Sequence, residues 1–262
     1  MVLAWTSRVL HADIGDEIRI SLDGGVVVHR RGDDGWQILS TTDIATHTTV
    51  LSGFVDAPAV LPAAHVPQPP APITLPPVGH AVRLELGERH YRRSEAGWRD
   101  AREPRALVDL ERTADGLAVR IQVPTSDLTF AAADAVNLYD NEPADINGDG
   151  VQVYVQGDEG SSGWMLVPDR TSSSVRVRRI EGFTTDRPIS ATWSADGQGY
   201  RMDVRLPGAL PRAIDLIVNE MPAGRERRRG QLVLSGAEGE FIYLRGDRHD
   251  AARFIPLHAA DG

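Results

Sequence analysis

The chain predicts an all-β protein: an antiparallel β-sandwich with jelly-roll or immunoglobulin-like layering, preceded by a small β-meander segment. Three observations carry this expectation. Short segments alternate apolar and polar residues, which gives a strand one oily and one wet face. Turn signals such as Asp115-Gly116 and Asp196-Gly197 separate them. No long stretch repeats apolar residues at helical spacing, and only Glu95–Ala101 offers one or two helical turns.

Taken in order, Glu17–Leu22, Val26–Arg31 and Trp36–Thr42 read as three strands, with Asp23-Gly24-Gly25 and Gly32-Asp33-Asp34-Gly35 as turns. Residues 1–57 form this small β segment, too short for more than a marginal core of its own. Residues 58–79 are Pro-rich, and repeated Pro removes backbone donors and favours an extended connector. The sandwich is expected over 80–262. Its strands read as Val82–Leu86, Ala106–Glu111, Leu117–Val123, Val151–Gln156, Trp164–Val167, Val175–Ile180, Tyr200–Leu206, Ile214–Asn219, Gln231–Leu234 and Phe241–Leu244. Leu117, Val119, Ile121 and Val123 show the alternation most plainly, as do Tyr200, Met202, Val204 and Leu206.

Composition excludes several chemistries. The 262 residues are 41% hydrophobic and 25% charged, the balance of an ordinary globular protein. All 28 basic side chains are Arg, so lysine Schiff-base and general-base chemistry is absent. With no Cys there are no disulfides, thiolate nucleophiles or Cys-ligated zinc. A net charge of −9 argues against nucleic acid as a partner. No segment is apolar for long enough to span a membrane, and no secretory signal is visible at the N-terminus, which leaves the compartment unknown.

The run Asn137–Val155 is the most informative. Asp145-Ile146-Asn147-Gly148-Asp149-Gly150 sets oxygen side chains at alternate positions before a Gly, as in a calcium loop. Its twelfth position is Gln156 rather than Glu, and a strand follows, so it is not an EF-hand. Two readings stay open: a loop of Asx turns, or a structural Ca²⁺ held by some of Asp140, Asp145, Asn147 and Asp149. In the strand that follows, Val151, Val153 and Val155 alternate with Gln152, Tyr154 and Gln156. The wet face so begun is expected to gather Arg120, Gln152, Tyr154, Trp164, Arg176, Arg178 and Asn219. Guanidinium forks and amides near aromatic rings suit a polyol or an acidic sugar; the alternative is a solvated face of cross-strand pairs. Trp164, after the GDEGSSG turn, is the ring best placed for a ligand. Trp98 and Trp193 read as packing residues, and Arg225–Arg229 as a hairpin turn with one Arg reaching back to Glu220.

Four stretches, in this order, resemble the family 9 carbohydrate-binding modules and their DOMON-like relatives over about 81–256: HYRRSEAGWRDA, DGVQVYVQ, TWSADGQGYRMDVRLP and IVNEMPAGRERRRGQLVLSG. Gln152 stands where an acidic residue is usual, and Leu232, Val233 and Leu234 stand near where sugar-binding members carry a Trp. The resemblance implies a β-sandwich, a slot for poly- or oligosaccharide walled by aromatic rings, a structural calcium ion, and service as an accessory module beside a glycoside hydrolase domain. Some DOMON relatives hold haem through Met and His. Here Met202 falls in the core alternation and no His has a matching partner, so no haem is expected. Nucleophile-elbow and metalloprotease motifs are absent. The function expected is therefore non-catalytic carbohydrate binding. The rivals are a structural or interaction sandwich without a ligand, and a glycan-acting hydrolase or lyase using carboxylates.

Overall fold

The computed structural model describes residues 17–22, 25–32 and 35–42 as strand backbone, and 70–138, 142–237, 240–242 and 249–260 with their side chains. The chain divides into two compact units, Met1–Gln68 and Pro69–Gly262.

The first unit holds β1 (Glu17–Leu22), β2 (Gly25–Gly32) and β3 (Gly35–Thr42) in one antiparallel meander, with a register shift between Val28 and His29. These are the three strands expected from the Gly-Asp turns.

The second unit is a two-sheet sandwich. Its five-stranded sheet runs β12 (Ser190–Asp196), β13 (Gly199–Pro207), β8 (Gly116–Pro124), β7 (Ala106–Thr113) and β5 (Ala81–Leu86). The other sheet follows β11 (Val175–Arg179), β10 (Ser161–Pro168), β9 (Gly150–Gln156), β14 (Ala213–Glu220), β15 (Gly230–Val233) and β6 (Tyr91–Arg93). Two further strands, β16 (Ile255–Ala259) and β4 (Ile73–Leu75), extend it: β16 pairs with β14 antiparallel and with β4 parallel.

The alternations do what they promise between the sheets. Leu117, Val119, Ile121, Met202, Val204 and Leu206 from one sheet meet Val151, Val153, Val155, Leu216 and Val218 from the other in a single buried cluster. Burying a large aliphatic side chain contributes about 1.5–3 kcal/mol, so this layer is the main source of the fold's stability.

Six elements differ from expectation, two of them the short strands β6 and β16, which no alternation marks. The connector expected over 58–79 contains β4, whose Ile73 and Leu75 are buried in the core; three residues between prolines are too few for a readable alternation. Ser190–Asp196 is an edge strand, missed because Ser and Ala supply little apolar contrast. Glu95–Ala101 makes turns only, with the Ala101 N–H bonded to the Gly97 carbonyl at 2.9 Å. Phe241 forms only an isolated bridge with Arg93, and the rest of the strand expected there lies largely outside the described residues.

Candidate functional site

The face expected to meet solvent is sealed. On β9, Gln152 and Tyr154 do point away from the inter-sheet core, yet they are 1% and 0% exposed. A second apolar cluster covers them, in which Tyr154, Met165, Val167, Ile217 and Phe254 pack with Phe130 and Phe183 from loops. Gly163 of β10 makes room for this layer: a Cβ there would lie 2.9 Å from both the Phe183 and Tyr154 rings.

Beneath that layer the polar groups satisfy one another. The Tyr154 hydroxyl donates to Gln152 Oε1 at 2.5 Å, and Gln152 Nε2 donates to Asn219 Oδ1 at 3.3 Å. Gln231 Nε2 also donates to Asn219 Oδ1, at 2.9 Å, and Arg92 donates to Gln231 Oε1 at 3.2 Å. Asn219 Nδ2 reaches the Ile146 carbonyl at 3.3 Å. The result is an amide and hydroxyl belt across β9, β14, β15 and β6. Such a belt specifies a register when every member is paired, but it offers no hydroxyl-binding surface.

The remaining residues of that expected set are dispersed. Trp164 pairs with Val153 and faces the opposite way, into the inter-sheet core, 3% exposed. Period-two alternation requires this: its neighbour Met165 takes the outer face. Arg120 lies on β8, in the other sheet, bonded to Asp203 at 3.0 Å. Arg176 donates to the Ala131 carbonyl, and Arg178 makes a fork to Asp145 at 2.6 and 2.8 Å. Only Gln152, Tyr154 and Asn219 come together, and they do so in the interior.

The calcium set does not converge either. Both Asp145 oxygens accept from Arg178, and Asn147 Oδ1 accepts from the backbone and guanidinium of Arg228 at 3.4 Å. Asp149 accepts from the Thr129 and Met221 N–H groups at 2.7 and 3.0 Å. Asp140 lies outside the described residues. Among the described residues no three carboxylate or imidazole side chains gather around a common point. A hard cation needs several oxygens on one centre; here protein donors hold them apart, so the residues described do not fit the ion.

An open cleft of about 500 Å³ lies elsewhere, at one end of the sandwich, and sequence reasoning missed it. The turn Ala101–Arg105, the end of β8 through Asp127, and the segment Asn219–Ala223 contribute its lining, with Arg229 beside them. Val123, Val218 and Leu232 add apolar surface, and Asp149 also borders it. Arg229 is not free: it forks onto Glu220, with Nε to Oε2 at 3.2 Å, and donates to the Ala101 carbonyl at 2.8 Å. This matches the expected turn in which one Arg reaches back to Glu220. Arg105 pairs with Glu103 at 3.4 Å and sits 5.6 Å over the Trp98 ring. Arg102 is exposed, and its guanidinium has no partner among the described residues.

The turn that carries Arg102 is strained. Arg102 and Glu103 have φ of 65° and 54°, the only non-Gly residues in the left-handed region among the described residues. For an L residue this conformation costs about 1–2 kcal/mol. Its neighbours hold it: Glu103 N–H bonds the Trp98 carbonyl at 2.9 Å, and the Trp98 indole N–H bonds the Pro104 carbonyl at 2.8 Å. Trp98 is thus a packing residue that also shapes the rim. The one available sequence signal was the acid- and Arg-rich stretch around Trp98, which does not by itself announce two consecutive left-handed residues.

Asp149 is the electrostatic anomaly of the cleft. Burial pushes its carboxyl up to about 7, against the pull of the Thr129 and Met221 N–H groups and Arg170, and with a further push from Glu220. Burial also raises the Tyr200 hydroxyl well above its ordinary value.

No protein-family model matches the chain, and no curated protein matches it. Among solved structures, a carbohydrate binding module family 9 from Caldicellulosiruptor kristjanssonii in complex with cellotriose aligns with 72% of this chain and 94% of its own, at 15% identity and a TM-score of 0.45. Among the described residues no helix is long and apolar enough to cross a membrane.

Proposed function

We propose that the second unit is a non-catalytic carbohydrate-binding module whose ligand site is the end cleft. The observation that carries this reading is the strained Arg102–Glu103 turn on its rim. Backbone strain persists only where the surroundings hold it, and it concentrates at ligand clamps and active sites. Here the strain presents a guanidinium, unpaired among the described residues, at a cleft that combines apolar surface with carboxylates and hydroxyls. Sugars ask for that combination, since their C–H faces need apolar contact while their hydroxyls need fork-shaped donors and acceptors. The buried polar belt would then serve the scaffold, and the ligand would meet a different part of the molecule from the one the alternation pointed to.

The test is affinity electrophoresis against a panel of soluble polysaccharides, followed by calorimetry with cellotriose and other oligosaccharides. At least one glycan is expected to retard the protein, and Arg102→Ala to weaken that binding about tenfold with an unchanged melting temperature. Retardation by no glycan would overturn the reading. It would favour a second one, an interaction sandwich without a small ligand, to which the internal pairing of Arg178, Arg229 and the amide belt already lends weight. A glycoside hydrolase domain as covalent or functional companion remains part of the first reading; the same panel, assayed for product release, would reveal turnover.

A further inference from the structure

We propose, resting on the reading of the end cleft as the ligand site, that Asp149 is its positioning residue: one carboxylate ties together two of the segments that wall the cleft and so sets the gap a ligand meets. The geometry is specific. Oδ2 accepts from Thr129 N–H at 2.7 Å and Oδ1 from Met221 N–H at 3.0 Å, one oxygen for each segment. The Asp149 N–H returns a bond to the Thr129 carbonyl at 2.7 Å. Thr129 follows closely on the Thr125–Asp127 wall, and Met221 belongs to the wall that continues to Ala223.

The surroundings leave the carboxylate as the joint. Asp149 is 4% exposed, so little water competes for its oxygens. A Cβ on Gly148 would come within 2.6 Å of the Ala131 backbone nitrogen, so the 129–131 segment packs directly on the Asp149 turn. The Tyr200 hydroxyl is buried but bonded to nothing among the described residues, and does not share the load. Ionised, as it is above pH about 7, the carboxylate takes N–H bonds about twice as strong as those to a neutral acceptor. Asn cannot replace them: its amide would turn one N–H toward another. Asp149 does not touch the ligand on this account; it acts through Thr129 and Met221.

The absence of Cys allows a direct measurement. Ser126→Cys and Ala223→Cys, both at exposed positions on the two walls, carry nitroxide labels whose separation is read by double electron–electron resonance. At pH about 8 the labelled protein is expected to give one narrow distance distribution and its Asp149→Asn variant a broadened one, while in the unlabelled protein Asp149→Asn is expected to lower cellotriose affinity about tenfold. An unchanged distribution in the variant overturns the proposal, and so does a broadened one with undiminished affinity. A broadened distribution in a protein that never binds cellotriose or any other glycan supports the joint and sinks the sugar reading. Should Asp149→Asn fail to fold, hydrogen exchange in the unsubstituted protein decides. The Thr129 and Met221 amides are expected to exchange slowly and together, and fast, independent exchange overturns the proposal.

Discussion

The Asp215 carboxylate and the His249 imidazole meet at 2.5 Å in the interior, 0% and 1% exposed. Asp215 projects from the outer face of β14, and its other oxygen accepts from the Leu216 and Ser235 N–H groups at 2.8 and 3.0 Å. The His249 ring packs against Tyr154 and stacks on Phe254, with centroids 4.8 and 5.7 Å away. One pair therefore fastens the 249–254 segment over the face that would otherwise be open. Asp215→Ala removes three hydrogen bonds from a dry site and leaves donors unmet, so it is expected to cost about 3–5 kcal/mol in urea unfolding. His249→Ala, which leaves the two backbone bonds in place, is expected to cost less.

Arg178 and Asp145 make the corresponding joint on the other side of that face. The pair is partly exposed, at 30% and 15%, so its contribution is modest. Arg178→Lys keeps the charge but loses the fork, with an expected loss of about 1 kcal/mol. Because this pairing occupies both Asp145 oxygens, added calcium and added chelator are expected to give the same melting temperature. An ion held at a hundred times its dissociation constant would add about 2.7 kcal/mol, a shift that a thermal melt would detect.

What the sequence disclosed, and what it withheld, follows from the range of the forces. The strands were legible because alternation is a local pattern: Met202, Val204 and Leu206 face the core as their spacing requires. Alternation also separated the two faces of β9 correctly. It could not say that the second face is covered too, since Phe130, Phe183, His249 and Phe254 come from distant loops with no periodicity. Trp164 shows the same limit. Its parity on β10 was fixed by the pairing with Val153, and that register is a long-range fact. The cleft was invisible for a related reason, because three separate segments build it and its defining backbone angles belong to ordinary residues, Arg102 and Glu103.

The raised carboxyl of Asp149 makes stability depend on pH with a definite sign. In the unfolded chain the group titrates near 3.8, and in the folded protein near 7. Between these values the folded state holds a proton that the unfolded state has released. The stabilisation from that proton is fully present below the lower value and is lost as pH rises through the upper one. His90, lowered to about 4 by burial and by the Arg89 charge, works in the opposite sense, so the informative quantity is a difference. The stability of the protein minus that of Asp149→Asn is expected to be about 3 kcal/mol larger at pH about 4.5 than at pH about 8, read from urea midpoints. A difference that stays flat would mean that Asp149 is better solvated than its 4% exposure implies.

Strain and recognition can be separated at a single position. Arg102 holds a φ of 65° and presents an exposed guanidinium, and two substitutions divide these properties. Arg102→Ala removes the guanidinium but keeps a Cβ, so the strain stays and stability should change by less than about 0.5 kcal/mol. Arg102→Gly removes both, and because Gly enters the left-handed region freely, folding stability should rise by about 1 kcal/mol after the entropy that Gly loses on folding. On the proposed function the two variants lose glycan affinity together, while only the Gly variant melts at a higher temperature. Gly destabilising the protein would show that the turn is relaxed as it stands. Affinity surviving in both would show that the guanidinium reaches no ligand, and the rim of the cleft would lose its role.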